Sequence, residues 1–225
     1  MTNRTRNRTV TTTLTVVMML LTIGTTLAQG TGVNVSVPTA YYKVGDTVNA
    51  TILCTPTTWV KAWEMKILFS KNKLQATTVT EGSFLNFFAG TQTFFNAGTI
   101  NNTAGTIKDI YDLILGIGNT TMIKPMVIIR FTAKNHGYAF INLSNVGLTN
   151  ETRYLTNVIV TNTTFFIYSQ YDLNLDKVVG LPDIILVAGR YGQFGAPGWI
   201  KEDINQNGRI DIIDIVLIAW HWGAY

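Results

Sequence analysis

Asp172, Asn174, Asp176 and Asp183 recur as Asp203, Asn205, Asn207 and Asp214, at an offset of 203 − 172 = 31 residues. Counted from the first Asp, oxygen-bearing side chains fill positions 1, 3, 5 and 12 of both segments. Position 7 offers a backbone carbonyl, from Val178 and from Arg209, and position 9 is Gly180 in one copy and Asp211 in the other. Calcium is a hard cation that takes about 6–8 oxygens at about 2.3–2.6 Å, and a 12-residue loop with this spacing supplies them. The pattern therefore predicts two EF-hand-like loops and two Ca2+ ions. The competing reading is an Asx-rich turn in which Asp183 or Asp214 only caps a helix. Lys177 stands where such loops prefer Gly, at position 6, which predicts strain in the first turn.

Each loop must lead into a helix that holds position 12. The segments that follow are short and apolar: Ile184, Ile185, Leu186, Val187 and Ala188, then Ile215, Val216, Leu217, Ile218, Ala219 and Trp220. A helix apolar all round is expected to be buried all round. Two such helices cover only one side of each other, so the remaining sides need either the rest of this chain or a second protein.

Composition changes just before the first loop. Residues 30–168 hold 28 Ser or Thr and residues 169–225 hold one, Ser169. The formal charge falls from 10 − 6 = +4 over 29–168 to 4 − 7 = −3 over 169–225. The upstream region carries short β-branched and aromatic runs: Val33–Val37, Val44–Cys54, Val60–Phe69, Leu74–Thr80, Thr91–Ile100, Gly105–Leu115, Met126–Lys134, Tyr138–Leu148 and Val158–Tyr168. Turn residues separate them, so about nine strands and no long helix predict a two-sheet sandwich or jelly roll. The fold class is mainly β, with a small helical calcium-binding unit appended.

Residues 1–28 read as a secretory signal. Arg4, Arg6 and Arg8 precede an apolar, Thr-rich run that ends in Thr26-Leu27-Ala28. This is the order of a basic region, an apolar region and a small-residue cleavage site. The alternative is an uncleaved membrane anchor. Without those three arginines the net charge drops from +4 to 14 − 13 = +1, which leaves no electrostatic footprint for nucleic acid. Within residues 30–168 seven Asn begin N-x-[ST] triplets: Asn34, Asn49, Asn101, Asn119, Asn142, Asn150 and Asn162. They point to a glycosylated exterior, against the plainer reading of a Thr-rich strand surface. Cys54 is the only cysteine and falls within a strand run, so it reads as a small buried hydrophobe. No Ser/His/Asp set, His cluster or convergent carboxylate pair stands outside the loops, and Glu64 and Glu81 read as isolated; the chain does not read as an enzyme. His136 falls in a turn, and His221 closes the last helix.

With its two loops, each followed by a helix and carrying Asp at position 12, the tail 169–225 resembles a dockerin. Gly195-Ala196-Pro197-Gly198-Trp199 fits the longer spacing of archaeal dockerin-like tails. Region 29–168 resembles a cohesin, the dockerin's receptor, through Val44-Gly45-Asp46-Thr47-Val48, Trp59 to Phe69, Leu74 to Glu81, Phe131 to Lys134 and Ile141 to Val146. The resemblance implies a nine-stranded jelly roll. It implies calcium ligands at Asp172, Asn174, Asp176, Val178 and Asp183, and at Asp203, Asn205, Asn207, Arg209, Asp211 and Asp214. Partner-reading positions would be Leu181, Pro182, Ile212 and Ile213. These are apolar here and often polar in dockerins, which favours a drier, more permanent contact. The implied function is a non-enzymatic, calcium-dependent protein–protein assembly module that is secreted to the cell surface. Its partner is a cohesin- or dockerin-like protein, including further copies of this chain joined head to tail. The alternative is a module that binds polysaccharide through Trp59, Trp63, Phe87, Phe88, Phe94 and Phe95, aromatics that more simply pack a core.

Overall fold

The computed structural model describes residues 30–224; the signal-like segment lies outside the described residues. Period-two burial builds the strands: along Thr47–Thr55, Val48, Ala50, Ile52 and Cys54 point inward while Asn49, Thr51 and Leu53 alternate outward. The strands are β1 (Thr31–Ser36), β2 (Tyr41–Lys43), β3 (Thr47–Thr55), β4 (Ala62–Phe69), β5 (Leu74–Glu81), β6 (Thr99–Asn101), β7 (Thr106–Leu113), β8 (Lys124–Ala133), β9 (Gly137–Thr149), β10 (Val158–Thr161) and β11 (Thr163–Tyr168). They form a five-stranded sheet, β10-β1-β3-β8-β5, and a six-stranded sheet, β2-β11-β9-β4-β7-β6. One apolar core fills the space between them, with Phe84, Phe131, Ile52, Ile67 and Met126 fully enclosed. Cys54 lies within it, and burial pushes its thiol up to about 12.

The sandwich has eleven strands rather than about nine. The run Val158–Tyr168 divides at Asn162: β10 joins one sheet beside β1, and β11 joins the other beside β2 and β9. The Asn162 side-chain oxygen accepts from the Leu143 N–H at 2.8 Å and pins the crossing. The run Thr91–Ile100 is mostly loop, with isolated bridges from Thr93 to Ile114 and from Asn96 to Tyr111 before β6 begins. Its Asn and Gly residues turn the chain where apolar content suggested a strand.

The tail adds β12 (Val178–Val179), α1 (Leu181–Ala188), α2 (Ile212–Trp220) and β13 (Gly223–Ala224). β12 and β13 pair antiparallel, which brings the chain end back onto the first loop. Leu173, Val179, Val187, Ile210 and Ile218 make a second, separate core.

Candidate functional site

The loop before α1 is held by its own side chains. The Asp172 carboxylate accepts from the N–H groups of Asp176 (3.2 Å) and Lys177 (2.9 Å). Asn174 and Asp176 accept from Asp176 N–H and Val178 N–H, and the Asn174 amide donates to Asp176 at 2.7 Å. Asp183, fully buried, accepts from Leu173 N–H (2.7 Å) and Gly180 N–H (2.8 Å). The second loop repeats these loop N–H bonds, without a counterpart to the Asn174 amide bond. Asp203 accepts from Asn207 N–H and Gly208 N–H, Asn205 from Asn207 N–H, and Asn207 from Arg209 N–H. Asp214, fully buried, accepts from Ile204 N–H (2.9 Å) and Asp211 N–H (2.9 Å). Asp211 caps α2 by accepting from Ile213 N–H, and its other oxygen lies 3.8 Å from Arg209 Nε. Position 6 is left-handed in both copies: Lys177 has φ 73° and Gly208 φ 81°.

Asp183 and Asp214 therefore do cap their helices, as the competing reading requires. Capping alone leaves buried charge in a very small core. Asp183, Asp203 and Asp214 have no ion pair with Lys or Arg among the described residues, and buried carboxylates are normally paired or bound to a cation. Among the described residues no three His, Cys, Asp or Glu side chains gather to hold a metal by themselves. A cation here would draw on the Asn oxygens and backbone carbonyls as well. That all-oxygen donor set fits a hard divalent ion.

The helices are not buried all round. Val187 and Ile218 face the small core, while Leu181, Ile185, Ile212, Ile213, Val216 and Trp220 are exposed. Pro182 is exposed too. The sandwich does not cover these outer faces, because the tail sits against it by the first loop instead. Lys177 Nζ donates to the Tyr138 hydroxyl at 3.2 Å and lies 4.7 Å from the Phe166 ring centre. Nothing in the spacing announced this contact. His221 Nδ1–H donates to Leu217 O (2.7 Å), closing α2, and its ring stacks on Tyr171.

On the sandwich, the outer face of the six-stranded sheet carries a groove of about 630 Å³ lined by Glu64, Lys66, Lys108, Asp109, Tyr111 and Asn145. Register shifts on both sides of β4 create it, and Asp109 (φ 59°) and Asn145 (φ 52°) turn left-handed beside them. Such non-Gly positions cost about 1 kcal/mol each. Glu64 is not isolated, since it accepts from the Tyr154 hydroxyl at 3.0 Å. Nor is Glu81: it meets the buried Asp112 between the sheets and accepts from Thr93 (2.6 Å) and Asn86 (3.0 Å). Burial, and then the Glu81 charge, raise Asp112 to about 7. Asp112 is enclosed, only 1% exposed, while Glu81 is half-buried at the sheet edge.

None of the seven sequon asparagines is buried. Asn34 lies on β1, Asn49 on β3 and Asn142 on β9; Asn101 ends β6; Asn119, Asn150 and Asn162 lie in connections. Of the aromatics assigned to core packing, Trp63 is buried and Phe95 packs against the core, whereas Trp59, Phe87, Phe88 and Phe94 are exposed.

No family profile matches the chain, and no curated protein sequence matches it. Solved structures do. A type II cohesin domain from the Acetivibrio cellulolyticus cellulosome superposes with a TM-score of 0.52 at 11% identity, covering 60% of this chain and 95% of that one. A chain of a type I cohesin–dockerin complex from Clostridium thermocellum gives a TM-score of 0.51 at 13% identity, covering 62% and 94%. A non-cellulosomal cohesin from the archaeon Archaeoglobus fulgidus gives 0.48 at 14% identity, covering 64% and 96%. On the first two of these likenesses the sandwich has the cohesin fold, and the likeness is one of fold.

Proposed function

We propose that the protein is a non-enzymatic, extracellular protein–protein assembly module, in which the tail docks on a cohesin-fold sheet of another molecule, copies of itself included. One observation carries this reading. Two adjacent helices present Leu181, Ile185, Ile212, Ile213, Val216 and Trp220 to solvent, on a chain that also carries a cohesin-fold sandwich. Large exposed apolar patches mark interaction sites, and a chain with both a receptor and a plug can propagate head to tail. The dry character of the helix faces supports a long-lived contact.

Calcium belongs to this reading. Asp172, Asn174, Asp176, Val178 and Asp183 would hold one ion, and Asp203, Asn205, Asn207, Arg209, Asp211 and Asp214 the other. The ion would neutralise the loop carboxylates and fix each helix at its first turn. Surface sequons outside the connection 114–123 and a signal-like leader support export and glycosylation. A polysaccharide-binding reading has less support: Phe87 and Phe88 meet edge to face, at 74°, and offer no coplanar platform for a sugar ring.

The test is light scattering after size exclusion on the chain, with calcium and with chelator. Growth of oligomers with calcium, abolished by Ile212→Asp with Ile213→Asp, is the expected result. A monomer indifferent to calcium would sink self-assembly and turn the search to a foreign partner.

A further inference from the structure

One end of the sandwich carries two uncharged connections that the assembly reading does not use, beside the charged connection 150–157 with Glu151 and Arg153. The connections 82–98 and 114–123 contain no Asp, Glu, Lys or Arg. Connections of this length in a small domain are commonly functional. Phe84 and Leu85 are buried and root the first of them. A backbone bond ties the two together, Leu115 N–H to Gln92 O (2.8 Å), and Phe94 N–H to Leu113 O (2.8 Å) fixes the first to the end of β7. The connection 56–61 joins them through Val60 N–H to Thr120 O (2.9 Å) and Ile114 N–H to Lys61 O (3.0 Å). From this rim Trp59, Phe87, Phe88, Leu115, Ile117 and Ile123 project into solvent, and Ile117 is 99% exposed. Lys124 lies over Phe87 with Nζ 4.3 Å from the ring centre.

The chain also enters at this end. Gly32 pairs with Thr55, Cys54 with Lys124 and Thr31 with Val158, so Gly30 lies at the rim. The apolar run Leu14–Leu27 stops only three residues before Gly30. The tail leaves β11 at the opposite end.

We propose that this rim docks on a lipid bilayer, with Trp59, Phe87, Phe88 and Ile117 entering the headgroup–acyl boundary and Lys124 facing anionic headgroups. Uncharged aromatic and aliphatic side chains at protruding loop tips suit that boundary, where Trp is enriched and apolar side chains sink about 5–10 Å. The leading run, while attached, delivers the rim to the same membrane.

The test uses the full chain, with a nitroxide on Ile117→Cys and, as reference, on Lys71→Cys in the β4–β5 turn at the far end; the buried Cys54 stays unlabelled. Vesicles of mixed phosphatidylcholine and phosphatidylglycerol are the probe. The expected result is oxygen accessibility typical of the acyl boundary at position 117 and aqueous accessibility at position 71. Phe87→Ser with Ile117→Ser should weaken vesicle binding about tenfold or more without shifting the thermal unfolding of the sandwich. Three results would overturn the proposal: no vesicle binding; binding with an aqueous label at 117, which would leave the leading run as the sole tether; or a glycan mass on the Asn119 peptide of native protein, which would cover the rim. Retention on an insoluble polysaccharide that these substitutions abolish, without lipid contact, would reassign the rim to sugar.

Discussion

Asp112 is the residue whose chemistry departs furthest from its sequence context. It lies on β7 between the buried Ile110 and Ile114 and takes the same inward direction. Its acid form is stabilised in the folded state, with a value raised to about 7, first by burial and then by the Glu81 charge. Between the usual carboxyl value and about 7 the folded protein holds a proton that the unfolded chain has released. Stability is therefore full in acid and falls as the pH rises through that window. Calorimetric melting from pH 4 to pH 8 should show the decline, and Asp112→Asn should flatten it and raise the melting temperature at pH 8 by several degrees. A variant that melts with the parent's slope would show that Asp112 ionises harmlessly. The inward direction of Asp112 was legible from alternation along β7. Its partner was not, because Glu81 lies on the other sheet and only the closed sandwich joins them.

At the scale of elements, the loop–helix units were the most readable part of the chain, because position-specific oxygens and a fixed offset encode local geometry. The proposed cation binding would use the same carboxylates as the capping, and a substitution can separate them. Asp183→Asn and Asp214→Asn each keep an acceptor for the loop N–H groups and lose the charge. Helix content without calcium should persist, while calcium affinity by titration calorimetry should fall by roughly an order of magnitude at the altered loop. Unchanged affinity would leave only the cap. Lys177 is a local rule broken for a distant contact. It adopts φ 73° and sends its ammonium to Tyr138 and Phe166. Lys177→Gly should relieve about 1 kcal/mol of backbone strain, strengthening calcium binding at the proposed first site while loosening the tail from the sandwich. A weaker first site would contradict that trade. The missed split of Val158–Tyr168 has the same origin: one continuous apolar run carries no mark of the sheet each half joins, and only the Asn162 bond to Leu143 reveals the switch.

For the whole molecule, the two cores share no member. Scanning calorimetry should resolve two transitions, of which chelator lowers only the smaller; one merged transition would show that sandwich and tail unfold together. The sheet order was beyond the sequence, since pairing between strands far apart depends on closure of the sandwich. That order has a mechanical consequence. β1 begins at the rim and runs parallel to β10, and β11 runs parallel to β2 toward the tail. Tension applied between Gly30 and Tyr168 pulls these neighbours lengthwise past each other. Their hydrogen bonds resist together as a shear joint, where a hairpin pulled from one end would open bond by bond. A molecule held at its first strand and pulled through its last helix is thus braced along the line of force.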